Sequence, residues 1–122
     1  MKELIKDVEQ WGRDKGILDK ATVATQGAKV FEEGNEVIEA IKEYINDATS
    51  QNLDNVKLEL GDYAVTLILA NKLNEICCDM MKVDHKECLQ MAYKKISKRT
   101  GKMINGTFYK SEDIDKDGKP KR

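Results

Sequence analysis

The sequence predicts an all-α fold, a four-helix-type bundle ending in a short irregular or hairpin C-terminal tail. Three observations carry that prediction. Apolar residues recur at helical spacing through most of the first hundred positions. Glu, Lys, Leu and Ala, all good helix formers, are abundant, and there is a single Pro. Turn-forming residues gather at only a few places. At 122 residues the chain suits one helical domain over residues 1–100, with residues 101–122 as a partly disordered tail.

The elements follow in order. Leu4, Ile5, Val8 and Trp11 place a first helix over Met1 to Lys15, loosened at its end by Gly12 and Gly16. Asp19 or Thr22 caps a second helix from about Ala21 to Ile45, whose apolar stripe is Val30, Val37, Ile38, Ile41 and Ile45. Asn46 to Asn55 is polar and reads as a loop. A third helix spans about Leu53 to Leu73 and extends towards Met81. Its middle, Tyr63 to Ala70, is apolar nearly all round, which makes it central. After a break near Val83, Asp84 with Glu87 forms a capping box for a fourth helix over Lys86 to Lys98. Beyond it, Gly101, Gly106 and Gly118 punctuate alternating residues, and the chain after Ile114 is charged and without pattern.

Composition excludes several classes. The net charge of −1 argues against a duplex nucleic-acid binder. No apolar run approaches the ~18 residues of a membrane span, and Met1 opens a charged amphipathic segment rather than a leader. The expected location is cytoplasmic. Cys77, Cys78 and Cys88 are odd in number, lack a Cys-x-x-Cys spacing and read as buried or half-buried free thiols rather than a disulfide or zinc framework.

Two acidic pairs stand apart from the ordinary surface carboxylates. Advancing about 100° per residue from Val30 puts Glu33 near about 300°, inside the apolar arc, and Glu36 near about 240°, on its border. Glu32 and Glu39 fall on the solvent side. The same count from Val56 puts Glu59 and Asp62 at the matching angles beside the stripe of Val56, Leu60, Tyr63, Leu67 and Ala70. Carboxylates facing a bundle interior cost several kcal/mol each unless compensated. A cation removes that conflict. All-oxygen ligands suit Mg²⁺, or Mn²⁺. The competing reading is surface pairing with Lys29, Lys57 or Lys72. A di-iron carboxylate centre needs two Glu-x-x-His motifs, and His85 is the sole histidine.

Glu32-Glu33-Gly34-Asn35-Glu36, a gap of 22 residues, then Glu59-Leu60-Gly61-Asp62 resembles the E-E-x-x-E … E-x-x-D signature of MazG-like all-alpha nucleoside triphosphate pyrophosphohydrolases. The resemblance spans about Trp11 to Arg99, and the tail from Arg99 to Asp113 looks like that of phage and bacterial relatives. It implies Mg²⁺-dependent hydrolysis of nucleoside triphosphates to the monophosphate and pyrophosphate, with dNTPs as the expected substrates. It also implies a homodimer or homotetramer. Carried over, Glu33, Glu36, Glu59 and Asp62 are the metal ligands, and Glu32 is the first Glu of the motif. Relatives often have Gly directly before the third Glu. Here Asn35 stands there and Gly34 comes one position early.

Either Glu32 or Glu36 takes the proton of the attacking water. Lys95, Lys98 and Arg99 are candidates to hold phosphates, against the plainer reading of a solvated basic helix end. Trp11 reads first as core and second as a stacking surface for a base. Gln26 and Lys29 lie upstream on the motif's helix, facing the nucleotide. Alternative functions are a phosphoribosyl-ATP or a dUTP- or dCTP-specific pyrophosphohydrolase, or a non-enzymatic helical interaction module whose acidic pairs form salt bridges.

Overall fold

Trp11 to Gly16 shows how local chemistry sets the chain's path. The structure, a computed structural model, describes residues 1–77 and 84–121. Helix α1 (Lys2–Asp14) is followed at Gly16 by a left-handed residue with φ of 77°, which glycine adopts without a Cβ penalty. The chain turns there into α2 (Ile17–Lys20), a single turn that the sequence pattern did not reveal. Four residues are too few to show a period, yet α2 contributes Leu18 to the core.

Thr22 caps α3 (Val23–Asn46). Its hydroxyl accepts from the Thr25 N–H at 3.0 Å, and the Thr25 hydroxyl accepts from the Thr22 N–H at 2.9 Å. Thr22→Ala removes one of these bonds and is expected to cost about 1 kcal/mol in chemical denaturation. Helix α4 (Ser50–Cys77) starts earlier than expected, so the connection from α3 is only residues 47–49. The polar residues read as a loop act as caps instead. The Thr49 hydroxyl accepts from the Asn52 N–H at 3.1 Å, and the Asn52 side chain donates to the Asp47 carbonyl at 2.8 Å.

The chain divides into two units, Met1–Val83 and Asp84–Arg122. In the first, α3 and α4 pack as an antiparallel pair, with α1 and α2 against α4. The core is Leu18, Leu69 and Leu73, extended by Val8, Ile17, Ala21 and Val65. The buried or half-buried residues of α3 include the series Gln26, Val30, Glu33, Val37, Ala40, Tyr44, with Gly34 beside Glu33. Those of α4 that face α3 include Asn52, Val56, Glu59, Tyr63, Thr66, Ala70 and Leu73, and from Val65 onward Val65, Ile68 and Leu69 widen the buried surface. Steps of three and four make each series one face of its helix. This corrects the expected stripes: Ile38, Ile41, Ile45, Leu60 and Leu67 all lie outside the seam and are substantially exposed. The seam is rotated towards Glu33 and Glu59, and the displaced isoleucines and leucines form an outer apolar face.

In the second unit, Asp84 caps α5 (His85–Ile96), its carboxylate accepting from the Lys86 N–H at 3.1 Å rather than pairing with Glu87 in a capping box. Strands β1 (Gly101–Ile104) and β2 (Thr107–Lys110) form the expected hairpin, with Ile104 opposite Thr107. Asn105 and Gly106, at φ of 49° and 80°, make its two-residue turn. The segment after Ile114, expected to lack fixed structure, folds into a second tight turn. The Asp115 carboxylate accepts from the Asp117 and Lys119 N–H groups, both at 2.9 Å, and Ile114 bridges to Pro120. The expected extension of the third helix to Met81, the break at Val83, and any role for the side chains of Cys77, Cys78 and His85 lie outside the described residues. Cys88 is a free thiol as expected, but it is exposed rather than buried or half-buried. Among the described residues, no helix is long and apolar enough to cross a membrane.

Candidate active site

Glu33 on α3 and Glu59 on α4 occupy seam positions where the neighbouring residues are Val, Ala and Tyr. Asp62 follows one turn after Glu59. One carboxylate oxygen from each of these three lies within 4.8 Å of the others. Glu33 and Glu59 are half-buried and Asp62 is exposed. Oε2 of Glu33 and Oε2 of Glu59 are sealed from solvent and have no hydrogen-bond partner. Buried polar atoms are paired in the great majority of cases, so two orphans on facing residues mark a place built for something else.

The electrostatics agree. Burial pushes the Glu33 carboxyl above its ordinary value of 4.5, and Glu36, Asp62 and Glu59 push it further. Burial likewise raises Glu59, with Glu36 and Asp62 adding to the effect. Glu36 acts on the charge of both but stands outside the close trio, on an adjoining hollow of about 280 Å³ that also meets Glu59. The alternative of surface ion pairs fails among the described residues. Lys29 pairs with Glu32 at 3.1 Å, Lys57 with Asp54 at 3.7 Å, and Lys72 with Glu75 and Glu9 at 3.1 and 3.5 Å. None of these lysines reaches ion-pair distance of Glu33, Glu36, Glu59 or Asp62.

A pH dependence follows. Glu33 and Glu59 have folded-state values above their unfolded ones, so the folded chain holds more protons between the two. Stability of the metal-free protein then falls as pH rises through that window. The thermal midpoint in chelator is expected to rise as pH is lowered from 7.5 towards 4.5, and Glu33→Gln with Glu59→Gln should flatten the curve. A wild-type midpoint that instead climbs with pH over this range contradicts the assignment.

Glu32 points outward as its helical angle required, its carboxylate half-exposed and bonded to Lys29. That bond holds the Lys29 ammonium above its usual value. Gly34 faces the Tyr63 ring, where an added Cβ would sit at an ordinary 3.5 Å, so space alone does not require glycine there.

A cleft of about 490 Å³ opens beside the trio. Its apolar walls are Trp11, Ile17, Ala21, Val65 and Leu69, and its polar groups are Thr25, Gln26 and Thr66. Lys29, Glu33 and Asp62 stand along the same cleft. On α3 the order Gln26, Lys29, Glu33 climbs one helix face. On α4 the antiparallel order Leu69, Thr66, Asp62 does the same, so the cleft runs from an apolar end to a charged one. Trp11, read first as core, is 46% exposed and walls the cleft instead. Thr66 escaped the sequence reading because it sits inside an apolar run; the heptad step from Glu59 through Tyr63 would have found it.

Within the second unit, Lys95, Lys98 and Arg99 line a hollow of about 300 Å³ with Thr100, Lys110, Ser111 and Glu112, whose carboxylate pairs with Lys110 at 3.8 Å. Lys110, eleven residues beyond Arg99, joins them because the hairpin brings the end of β2 back to the start of β1, with Lys110 opposite Gly101. Nothing in the local pattern around Lys110 pointed to this.

The sequence pattern of the MazG nucleotide pyrophosphohydrolase domain matches residues 21–104. A protein of Haemophilus phage HP1 (strain HP1c1), described as an uncharacterized 18.2 kDa protein in the rep-hol intergenic region, is 27% identical over 83 residues, covering 68% of this chain and 47% of that protein. The chain thus spans about half the length of this curated relative. No solved structure matches.

Proposed function

The chain belongs to the MazG nucleotide pyrophosphohydrolase family, and on that footing we propose that it hydrolyses nucleoside triphosphates, dNTPs foremost, to the monophosphate and pyrophosphate. The observation that carries this reading is the pair of sealed, unpartnered oxygens of Glu33 and Glu59, close to Asp62 at the charged end of a nucleoside-sized cleft. The all-carboxylate donor set fits a hard divalent cation, Mg²⁺ or Mn²⁺, held by Glu33, Glu59 and Asp62 with Glu36 beside them. When bound, such an ion supplies charge neutralisation on the phosphates and acidifies water.

The remaining roles belong to the chain itself. Glu36, outside the close trio, is the carboxylate available to accept a proton from the attacking water. Glu32 serves by anchoring Lys29, whose ammonium lines the cleft next to Glu33. The Trp11 indole offers a stacking face for the base. Lys95, Lys98 and Arg99, clustered with Lys110, form a phosphate-binding group. A homodimer or homotetramer is part of the proposal: Phe31, Ile38, Ile41 and Ile45 on α3 and Leu60 and Leu67 on α4 present an exposed apolar face larger than scattered surface residues explain. Light scattering on the purified chain reads this directly.

The deciding experiment measures pyrophosphate release from a panel of canonical and modified nucleoside triphosphates, with and without Mg²⁺. Release that depends on the cation is expected. No release from any substrate overturns the enzyme reading.

A further inference from the structure

Gln26, expected from the sequence to face the nucleotide, is a polar side chain in the cleft whose contact with it the chemistry above leaves unspecified. It is 6% exposed and lines the cleft one turn before Lys29. Its Nε2 donates to the Thr66 carbonyl of α4 at 3.2 Å. A carbonyl only accepts, so this bond fixes which way round the amide lies, with the NH₂ group towards α4. Oε1 therefore faces elsewhere. Among the described residues no donor bonds it, and the nearby Thr66 hydroxyl is already committed to the Tyr63 carbonyl at 2.7 Å. Yet Oε1 is not among the sealed orphan atoms, which are the two glutamate oxygens. The oxygen is still reachable, and the cleft that Gln26 lines is the opening beside it.

We propose that Gln26 reads the nucleobase: its Oε1, oriented by the Thr66 carbonyl, accepts an N–H from the pairing edge of a base lying in the cleft against Trp11. This rests on the nucleotide reading of the cleft given above and adds the group that distinguishes one base from another. The physical reason is the setting. The surrounding walls are apolar, so a ring of the right shape lacking an N–H would stack as well but leave the amide oxygen desolvated and unpartnered. The ligand class is a nucleobase with an amino or imino N–H on that edge. Neither the phosphates nor the cation takes part in this contact.

Trp11 is the only tryptophan, so intrinsic emission reports the cleft. The full chain is titrated in chelator with free nucleosides, in pairs differing by one amino group: adenosine against purine riboside, and cytidine against pyrimidin-2-one riboside. Saturable quenching by the amino-bearing member is expected, with the analogue about tenfold weaker. Gln26→Leu should remove that difference by weakening the amino-bearing member alone. Should that variant fail to fold, the paired titration of the wild-type chain decides the matter without it. Equal affinity within both pairs, no Trp11 response to any nucleoside, or a preference that survives Gln26→Leu would each overturn the proposal. Base preference in emission without pyrophosphate release in the nucleotide assay would sink the hydrolase reading and leave this one standing. Release without base preference would do the reverse.

Discussion

Glu59→Gln lowers cation-dependent pyrophosphate release by at least about 100-fold while the metal-free chain stays folded and becomes no less stable. Glu59 is half-buried in the α4 seam with Oε2 sealed and unpartnered, and its charged form is opposed by Glu36 and Asp62. Gln keeps the volume and removes the charge, so the apo fold loses a repulsion rather than a support. An amide is a far poorer partner than a carboxylate for a hard cation. Losing an outer-shell partner of a bound metal already costs 10–100-fold, and losing a direct ligand should exceed that by some margin (about 100-fold is taken as the floor). Glu39→Gln is the matched control. Glu39 is exposed and, among the described residues, pairs only with Lys42 at 3.2 Å, and its substitution should leave activity unchanged. Glu33→Gln with Glu59→Gln should cost little more than either alone, because both act through one ion. Retained activity in Glu59→Gln would remove it from the ligand set. A large drop in its metal-free thermal midpoint would instead make Glu59 a structural residue.

The site was legible in sequence because its logic is local. Glu33 and Glu59 each have a Val three residues before and an apolar or aromatic residue four residues after (Val30 and Val37; Val56 and Tyr63), and helical angle alone separates them from Glu32 and Glu39. What the angles misjudged was the centre of the seam. Counting apolar side chains weights Ile38, Ile41 and Ile45 equally with Val37, so an outer apolar face drags the apparent stripe away from the helix contact. The structure resolves this by burying Gln26 and half-burying Glu33, two polar residues no hydropathy count would choose. A seam containing Gln26, Glu33, Glu59 and Thr66 is poorer in packing than one made of isoleucines. The sequence keeps it, which is the expected mark of function overriding local consistency.

Other features were illegible for geometric reasons. The single turn α2 has no measurable period, although Leu18 within it belongs to the buried leucine cluster with Leu69 and Leu73. Ser50 to Asn55 reads as loop because Ser, Asn and Asp favour turns, but the same side chains cap a helix when one follows. The gathering of Lys110 with Lys95, Lys98 and Arg99 depends on the register of a hairpin, which an Asn-Gly turn suggests but whose placement against α5 no one-dimensional pattern carries.

Leu73→Ala is expected to destabilise the N-terminal unit by about 3 kcal/mol, read by urea denaturation. Leu73 is 0% exposed and is the one fully buried large side chain among the described residues. Among the described residues, the other buried members of its cluster are Leu18 and Leu69, so little else can close over the void. Against a typical domain stability of about 5–15 kcal/mol, that loss is a large fraction. Leu58→Ala, at 67% exposure on the same helix, should stay within about 0.5 kcal/mol. The core that Leu73 anchors is also what holds α1 and α2 against α4, and these supply Trp11 and Ile17 to the cleft. Trp11 emission should therefore shift at lower urea in Leu73→Ala, together with loss of helix. Saturating Mg²⁺ should raise the midpoint of both proteins without narrowing the gap between them. The cation would tie α3 to α4 near Asp62, about 16 Å along α4 from Leu73 at 1.5 Å per residue, and separated sites of this kind contribute additively. A gap that closes on adding the cation would mean that the carboxylates and the leucine core are one cooperative site, and the division of the unit into a packed end and a charged end would have to be abandoned.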